Sequence, residues 1–165
     1  MAVNLPQPSG FLAVPGIEIG TGATGLKDRD DVVVAVMDPQ TRVAGVSTQS
    51  AFAAPPVALA KAHEAKSRVW VINSGNANAA TGEPGRHDAE QICACVADQL
   101  AGVDATQVQP FSTGVIGERL NVPLLQQAAQ KSTVELKPDG WLAAATAIMT
   151  TDTVAKLVSR RVTLS

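Results

Sequence analysis

Tyrosine is absent from the 165 residues, and aromatic side chains make up only 3% of them. Base-stacking platforms and aromatic cages therefore have almost nothing to be built from. Charge is sparse as well: 17% of the residues are Asp, Glu, Lys or Arg, and thirteen cations against fifteen anions leave a formal charge of −2. No phosphate-tracking electrostatic footprint results, which argues against nucleic acid as a partner. Only two cysteines occur, Cys93 and Cys95, too few for a disulfide scaffold and too close for an unstrained bridge within a helix. A reducing cytoplasm is the expected compartment. The longest strongly apolar stretches, Val32 to Met37 and Leu142 to Met149, fall far short of the roughly 20 residues needed to cross a membrane. Met1 to Pro15 has neither the basic start nor the apolar run of a secretion signal.

What the chain does have is 45% hydrophobic residues, enough to bury the core of one compact domain, with no linker or repeat dividing it. The expected fold class is α/β, a layered sandwich with mixed sheets. Gly20 to Gly25 reads as a loop, and the β-branched run Val32 to Met37 as a buried strand. Turn residues at Asp38-Pro39-Gln40 predict a hairpin from that strand into Arg42 to Ser47. Pro55-Pro56 opens a helix over Val57 to Ala65, followed by a strand from Arg68 to Asn73. A helix is predicted from Arg86 to Ala101, with Ala89, Ile92, Cys93, Val96 and Leu100 on one face. Gln107 to Phe111 reads as a strand, and Asn121 as the cap of a helix with Leu124, Leu125, Ala128 and Ala129 turned inward. Another helix is expected from Trp141 to Met149. Val158 to Ser165 has strand character, with its partners expected in a portion beyond it.

Three small-residue segments carry candidate chemistry. Asn73 to Gly82 holds three asparagines and three glycines or threonines directly after a strand, so it can cradle a polar ligand or fold on itself through Asx turns. Ser112 to Gly117 ends another strand. There a Thr113 hydroxyl beside the Gly114 N–H offers two donors able to converge on a developing oxyanion, the alternative being a tight turn. Thr150-Thr151-Asp152-Thr153 follows a helix, where hydroxyls can meet a substrate's carboxylate or amino group and Asp152 can instead cap the next turn. Cys93 and Cys95 diverge by about 200° on a helix, which argues against a shared metal, and Cys93 reads as a buried apolar residue. His63 and His87 have no ligand partners at zinc spacing and read as surface residues.

Taken in order, Ala44 to Gln49, Asn73 to Gly82, Ser112 to Gly117 and Ala147 to Thr153 resemble the ornithine acetyltransferase family of bifunctional glutamate N-acetyltransferases. Asn-Ser-Gly-Asn-Ala-Asn-Ala and Ser-Thr-Gly-Val-Ile-Gly are specific strings at this separation, and the resemblance covers nearly the whole chain. It implies an arginine-biosynthetic enzyme made as a precursor that cuts itself before a Thr, which then carries the acetyl group from N-acetylornithine to glutamate by ping-pong transfer. It also implies an oxyanion pair at Thr113 and Gly114, a substrate contact at Thr150 with Thr151 beside it, no cofactor beyond acetyl-CoA as an optional donor, and a heterotetramer of two α and two β chains.

The family's Lys-Gly-x-Gly-Met segment and the Ala-Thr cut in its Met-Ala-Thr-Met-Leu context are not in this sequence. The chain therefore reads as the N-terminal α portion, ending before the nucleophilic Thr and inactive without the downstream β chain. A rival reading is a binding or structural module that kept the fold and lost the chemistry. An autoprocessing aminopeptidase of related layered fold is a third, resting on analogy alone.

Overall fold

The computed structural model describes residues 8–163, so Met1 to Gln7 and the last two residues of the expected terminal strand lie outside it. One four-stranded mixed sheet, in the order β1-β2-β3-β4, organises the chain. Its strands are β1 (Ile17–Gly22), β2 (Val32–Met37), β3 (Val69–Asn76) and β4 (Val108–Val115). The β1–β2 and β2–β3 pairs are antiparallel, whereas β4 lies parallel to β3. A parallel neighbour needs a crossover, and helix α2 (Gly82–Asp98) supplies it. Helices α1 (Pro55–His63), α3 (Val122–Val134) and α4 (Trp141–Ala147) complete the fold, which is α/β as expected.

The continuous β-branched run of β2 is explained by burial on both faces. Val32 and Val34 join a core with Leu59 of α1, Ile92 and Val96 of α2, and Leu125 and Ala129 of α3. Val33 and Ala35 face the other way, with Ile19, Trp70 and Ile72, and are covered by Ala144 and Ala147 of α4. The predicted inward faces of the two longer helices are observed: Ala89, Ile92, Cys93 and Val96 are buried and Leu100 packs against them. On α3, Leu125, Ala128 and Ala129 are buried while Leu124 is half-buried. Asn121 caps α3 by accepting the Leu124 N–H at 3.3 Å.

Several expectations are corrected. Arg42 to Ser47 does not pair with β2, because both edges of that strand are already taken by β1 and β3; the segment is irregular, and Val46 is fully exposed. Residues 158–163 likewise form no strand, and Val158 is 93% exposed with no sheet edge against it. The Gly/Thr-rich stretch is strand as far as Gly22 rather than loop, because glycine there serves close packing. A Cβ on Gly20 would stand 1.9 Å from the Ser132 carbonyl oxygen of α3, and one on Gly22 2.2 Å from that of Ala128. Element ends also shift: α2 begins at Gly82 and ends at Asp98, and α4 ends at Ala147. His63 is half-buried rather than on the surface, its Nδ1 lying 2.7 Å from the Val108 carbonyl, while His87 is exposed as expected.

Gly20→Ala should force β1 and α3 apart, a backbone-level overpacking costing about 2 kcal/mol or more and lowering the melting temperature by roughly 4–8 °C. Calorimetry checks this, and an unchanged melt would contradict the close approach. The second expectation concerns Cys93, whose thiol is pushed up to about 12, chiefly by burial and then by Glu90. A raised value favours the neutral thiol in the folded state, so this contribution is complete below the ordinary thiol value near 9 and is lost as pH climbs towards 12. At pH 8, iodoacetamide should leave Cys93 unmodified until the chain unfolds, as peptide mapping would show.

Candidate functional site

Both small-residue segments after β3 and β4 begin as strand. The parallel register sets Ser74 opposite Thr113 and Gly75 opposite Gly114, with an irregularity at Asn76. Gly114 has φ +135°, and a Cβ there would stand 2.3 Å from the Gly75 carbonyl carbon and 2.6 Å from the Asn76 nitrogen. Only glycine fits this crossing of two backbones. Beyond it the two chains stay tied, Ala77 N–H donating to Val115 O at 2.8 Å and Gly117 N–H to Ala79 O at 2.8 Å. Thr113 and Gly114 are both exposed at this end of the sheet.

The asparagine segment spends its amides on itself and its neighbours. Asn73 donates to Asn76 O at 2.8 Å and accepts the Ser112 hydroxyl at 2.6 Å. Asn76 donates to the carbonyls of Glu118 and Arg119 at 3.2 and 3.1 Å and accepts the Asn78 N–H at 2.7 Å. Asn78, completely buried at φ +46°, donates to Gly85 O at 2.7 Å and accepts the Thr81 hydroxyl at 2.7 Å. The amides brace one another, and Asn73 and Asn76 also line a cavity beside the strand ends. A bidentate ion pair adds to the bracing: Arg119 Nε and Nη2 donate to buried Asp88 at 2.5 and 2.6 Å, holding the loop after β4 against α2.

Thr150 and Thr151 are exposed just past α4. The end of that helix is fixed by donors from elsewhere, as its unpaired carbonyls require. Ser74 donates to Ala147 O at 2.5 Å, and Arg29 Nη2 to Met149 O at 2.8 Å. Lys27 Nζ donates to Ser74 Oγ at 2.8 Å and lies 3.4 Å from Met149 O. Burial, and then the neighbouring Arg29, hold the Lys27 ammonium below its ordinary value, with Asp31 opposing. Asp152 pairs with Lys156, whose hydrogen bond holds its carboxyl below the usual range, aided by the Thr150 N–H.

The structure thus gathers the Thr113–Gly114 pair and the Thr150–Thr151 turn at the same end of the sheet, joined through Ser74 and Lys27. A cavity of about 310 Å³ opens beside them, lined by Lys27, Ser74, Gly75, Asn76, Glu118 and Arg119 among others. None of the four sequence-predicted site residues lines it. A larger cavity of about 700 Å³ lies beneath residues 43–48 against Trp70, Ile72 and Phe111. Its walls are mainly apolar, whereas charged and amide residues make up most of those lining the smaller cavity. Among the described residues no three His, Cys, Asp or Glu side chains are grouped as metal ligands would be.

The ArgJ family profile matches residues 18–165. The chain belongs to the ArgJ family. It is 48% identical over 166 residues to the arginine biosynthesis bifunctional protein ArgJ of Pseudomonas syringae pv. tomato, covering 99% of this chain and 41% of that protein. It is 44% identical over 170 residues to the protein of the same name from Psychrobacter arcticus, of which it covers 42%. The chain therefore spans about two fifths of the length of these ArgJ relatives. Among solved structures, the ornithine acetyltransferase of Mycobacterium tuberculosis complexed with ornithine superposes with a TM-score of 0.80 at 31% identity, over 85% of this chain and 78% of that one. The ArgJ protein of Bacillus halodurans gives 0.75 at 31% identity, over 85% and 75%.

Lys27, Arg29, Asp88 and Arg119 are the site's supporting residues that sequence reading missed. A signal for the first two lay in the run Lys27-Asp28-Arg29-Asp30-Asp31, five charges in a sequence with few; Asp88 and Arg119 left none. Gly114→Ala should wedge β3 and β4 apart. Hydrogen exchange should then show the Ala77 and Gly117 amides losing protection while the β1–β2 amides keep theirs; unchanged protection would refute the crossing as described.

Proposed function

We propose that this chain is the α portion of an ornithine acetyltransferase, active only together with a downstream β chain that carries the nucleophilic Thr. The observation that carries this reading is the strand end where Gly114, in a conformation suited to glycine, crosses Gly75 and leaves Thr113 exposed beside it. Membership in the ArgJ family supports it.

In this reaction the Thr oxygen of the β chain attacks the acetyl carbonyl of N-acetylornithine. The carbonyl oxygen takes up negative charge, which the Thr113 hydroxyl and the Gly114 N–H stabilise by hydrogen bonding. The C–N bond then breaks, the departing amine of ornithine takes up the proton that the Thr hydroxyl gives up, and the acetyl group remains on Thr as an ester. Glutamate's amine attacks that ester, the C–O bond breaks, the Thr oxygen regains its proton, and N-acetylglutamate leaves. Thr150, with Thr151 beside it, holds the amino-acid substrate. No cofactor is required; acetyl-CoA serves as an additional donor in a bifunctional enzyme. The working assembly is a cytoplasmic heterotetramer of two α and two β chains.

The test is the full-length protein assayed for acetyl exchange between N-acetylornithine and glutamate, with acetyl-CoA as a second donor. Thr113→Ala should lower kcat by roughly 100- to 1,000-fold with folding and KM near normal. Turnover within a few-fold of the parent would sink the assignment. Thr150→Ala should instead raise KM for N-acetylornithine up to about tenfold at nearly constant kcat, the signature of a contact made equally in ground and transition states. If Thr151→Ala raises KM and Thr150→Ala does not, the contact belongs one residue later; if neither does, the turn is structural.

A further inference from the structure

The connection between β1 and β2 contains five consecutive charges, and they divide by role. Asp30 accepts the Thr21 hydroxyl at 2.5 Å, and buried Asp31 accepts the Thr24 N–H and hydroxyl at 2.8 and 2.5 Å, so the acids shape the connection itself. Asp31 also presents its carbonyl to the Ser74 N–H at 2.9 Å, which seats the connection against β3. The two cations reach away from it, towards the end of α4. Cations are stabilised there because the last carbonyls of a helix point outward unpaired.

Arg29 reaches only the α4 side of the site, at Met149 O. Lys27 reaches both. Its ammonium bonds Ser74 Oγ, the register partner of Thr113, and lies by Met149 O. Its Cε stands 3.1 Å from where a Gly75 Cβ would be, so its stem lies along the residue that Gly114 crosses. The Met149 carbonyl belongs to the same planar peptide unit as the Thr150 nitrogen, so fixing that oxygen fixes the start of the Thr150–Thr151 turn. Ser74 is already committed as a donor to Ala147 O, so towards Lys27 its hydroxyl can only accept, a role that an ammonium, with three N–H groups and no lone pair, satisfies without ambiguity. Two of those three N–H groups face Ser74 and Met149, and Lys27 also lines the polar cavity beside the strand ends.

We propose that Lys27 is a positioning residue of the acyl-transfer site, setting the Thr113–Gly114 strand end and the Thr150–Thr151 turn at a fixed separation through Ser74, Gly75 and the Met149 carbonyl. This rests on the acetyltransferase reading above. Because the contact serves the oxyanion side and the substrate side together, its loss acts on both kinetic constants. Thr113 is expected to act on kcat alone and Thr150 on KM alone.

The experiment compares Lys27→Met and Lys27→Arg with Thr113→Ala in the full-length protein, measuring kcat and KM for N-acetylornithine beside thermal melts. Lys27→Met should lower kcat and raise KM together, with kcat/KM down by roughly 100-fold, as an ångström-scale misplacement of reacting groups produces. Its melting temperature should stay within a few degrees of the parent, since the methionine stem retains the packing along Gly75. Lys27→Arg, which keeps the charge and the donors, should recover most of the loss. A Lys27→Met enzyme within threefold of the parent, in a protein where Thr113→Ala collapses turnover, overturns the role of Lys27 and leaves the acetyltransferase reading standing. Equal losses in the Met and Arg variants overturn it too. A Thr113→Ala enzyme with parental turnover removes the oxyanion pair and with it this proposal, while a full-length protein that exchanges no acetyl group removes the acetyltransferase reading itself. Should the Met variant fail to fold, Lys27→Gln is judged by the same thresholds.

Discussion

Two backbones crossing at Gly75 and Gly114, closer than any side chain would allow, set the geometry on which the functional end of this chain depends. Parallel strands have no hairpin to bind them, and β3 and β4 are connected only through the seventeen residues of α2 and the turns around it. Their last residues are therefore kept in register by what lies beyond the sheet: the asparagine amides, the Asp88–Arg119 pair and the Ala77–Val115 bond. The core stabilises the sheet, and this bracing decides where its ends point. Thr113 is at the surface because the strand that carries it is held from beneath and from the side.

Elements with strong local signals were legible in the sequence. The unbroken β-branched run of β2 announced a buried strand, and the spacing of Ala89, Ile92, Cys93 and Val96 announced the buried side of α2. Pro55-Pro56 and Asn121 marked two helix starts. Failures came where the deciding partner is remote. Arg42 to Ser47 has the composition of a strand, but no free edge of β2 remains to receive it. The glycines of β1 look like turn residues until the carbonyls of α3 are found against them. Local propensity ranks conformations, and tertiary contact chooses among them.

The candidate site divides in the same way. Its small-residue segments stood out by composition, and the asparagines among them fold on themselves and their neighbours: six amide atoms find protein partners. The residues that position the site were harder to see because nothing in a sequence says that position 27 meets positions 74 and 149, or that position 88 meets 119. Such pairings exist only once α4 and the loop after β4 have docked. The ArgJ kinship spans residues 18–165 as a whole, while the side chains that orient the candidate segments are visible only in three dimensions.

The bracing around the strand ends is made mostly of neutral amides, and that has a consequence for the solution conditions the site tolerates. Ion pairs at a surface, such as Arg86 with Glu90, weaken as dissolved ions screen them. Hydrogen bonds between uncharged amides and carbonyls carry no net charge to screen, and the buried ones, such as Asn78 to Gly85, lie out of reach of mobile ions. The scaffold of Asn73, Asn76 and Asn78 thus carries no charge for dissolved ions to screen, and the part of this bracing that ionic strength reaches is the Asp88–Arg119 pair, through an arginine half exposed to solvent.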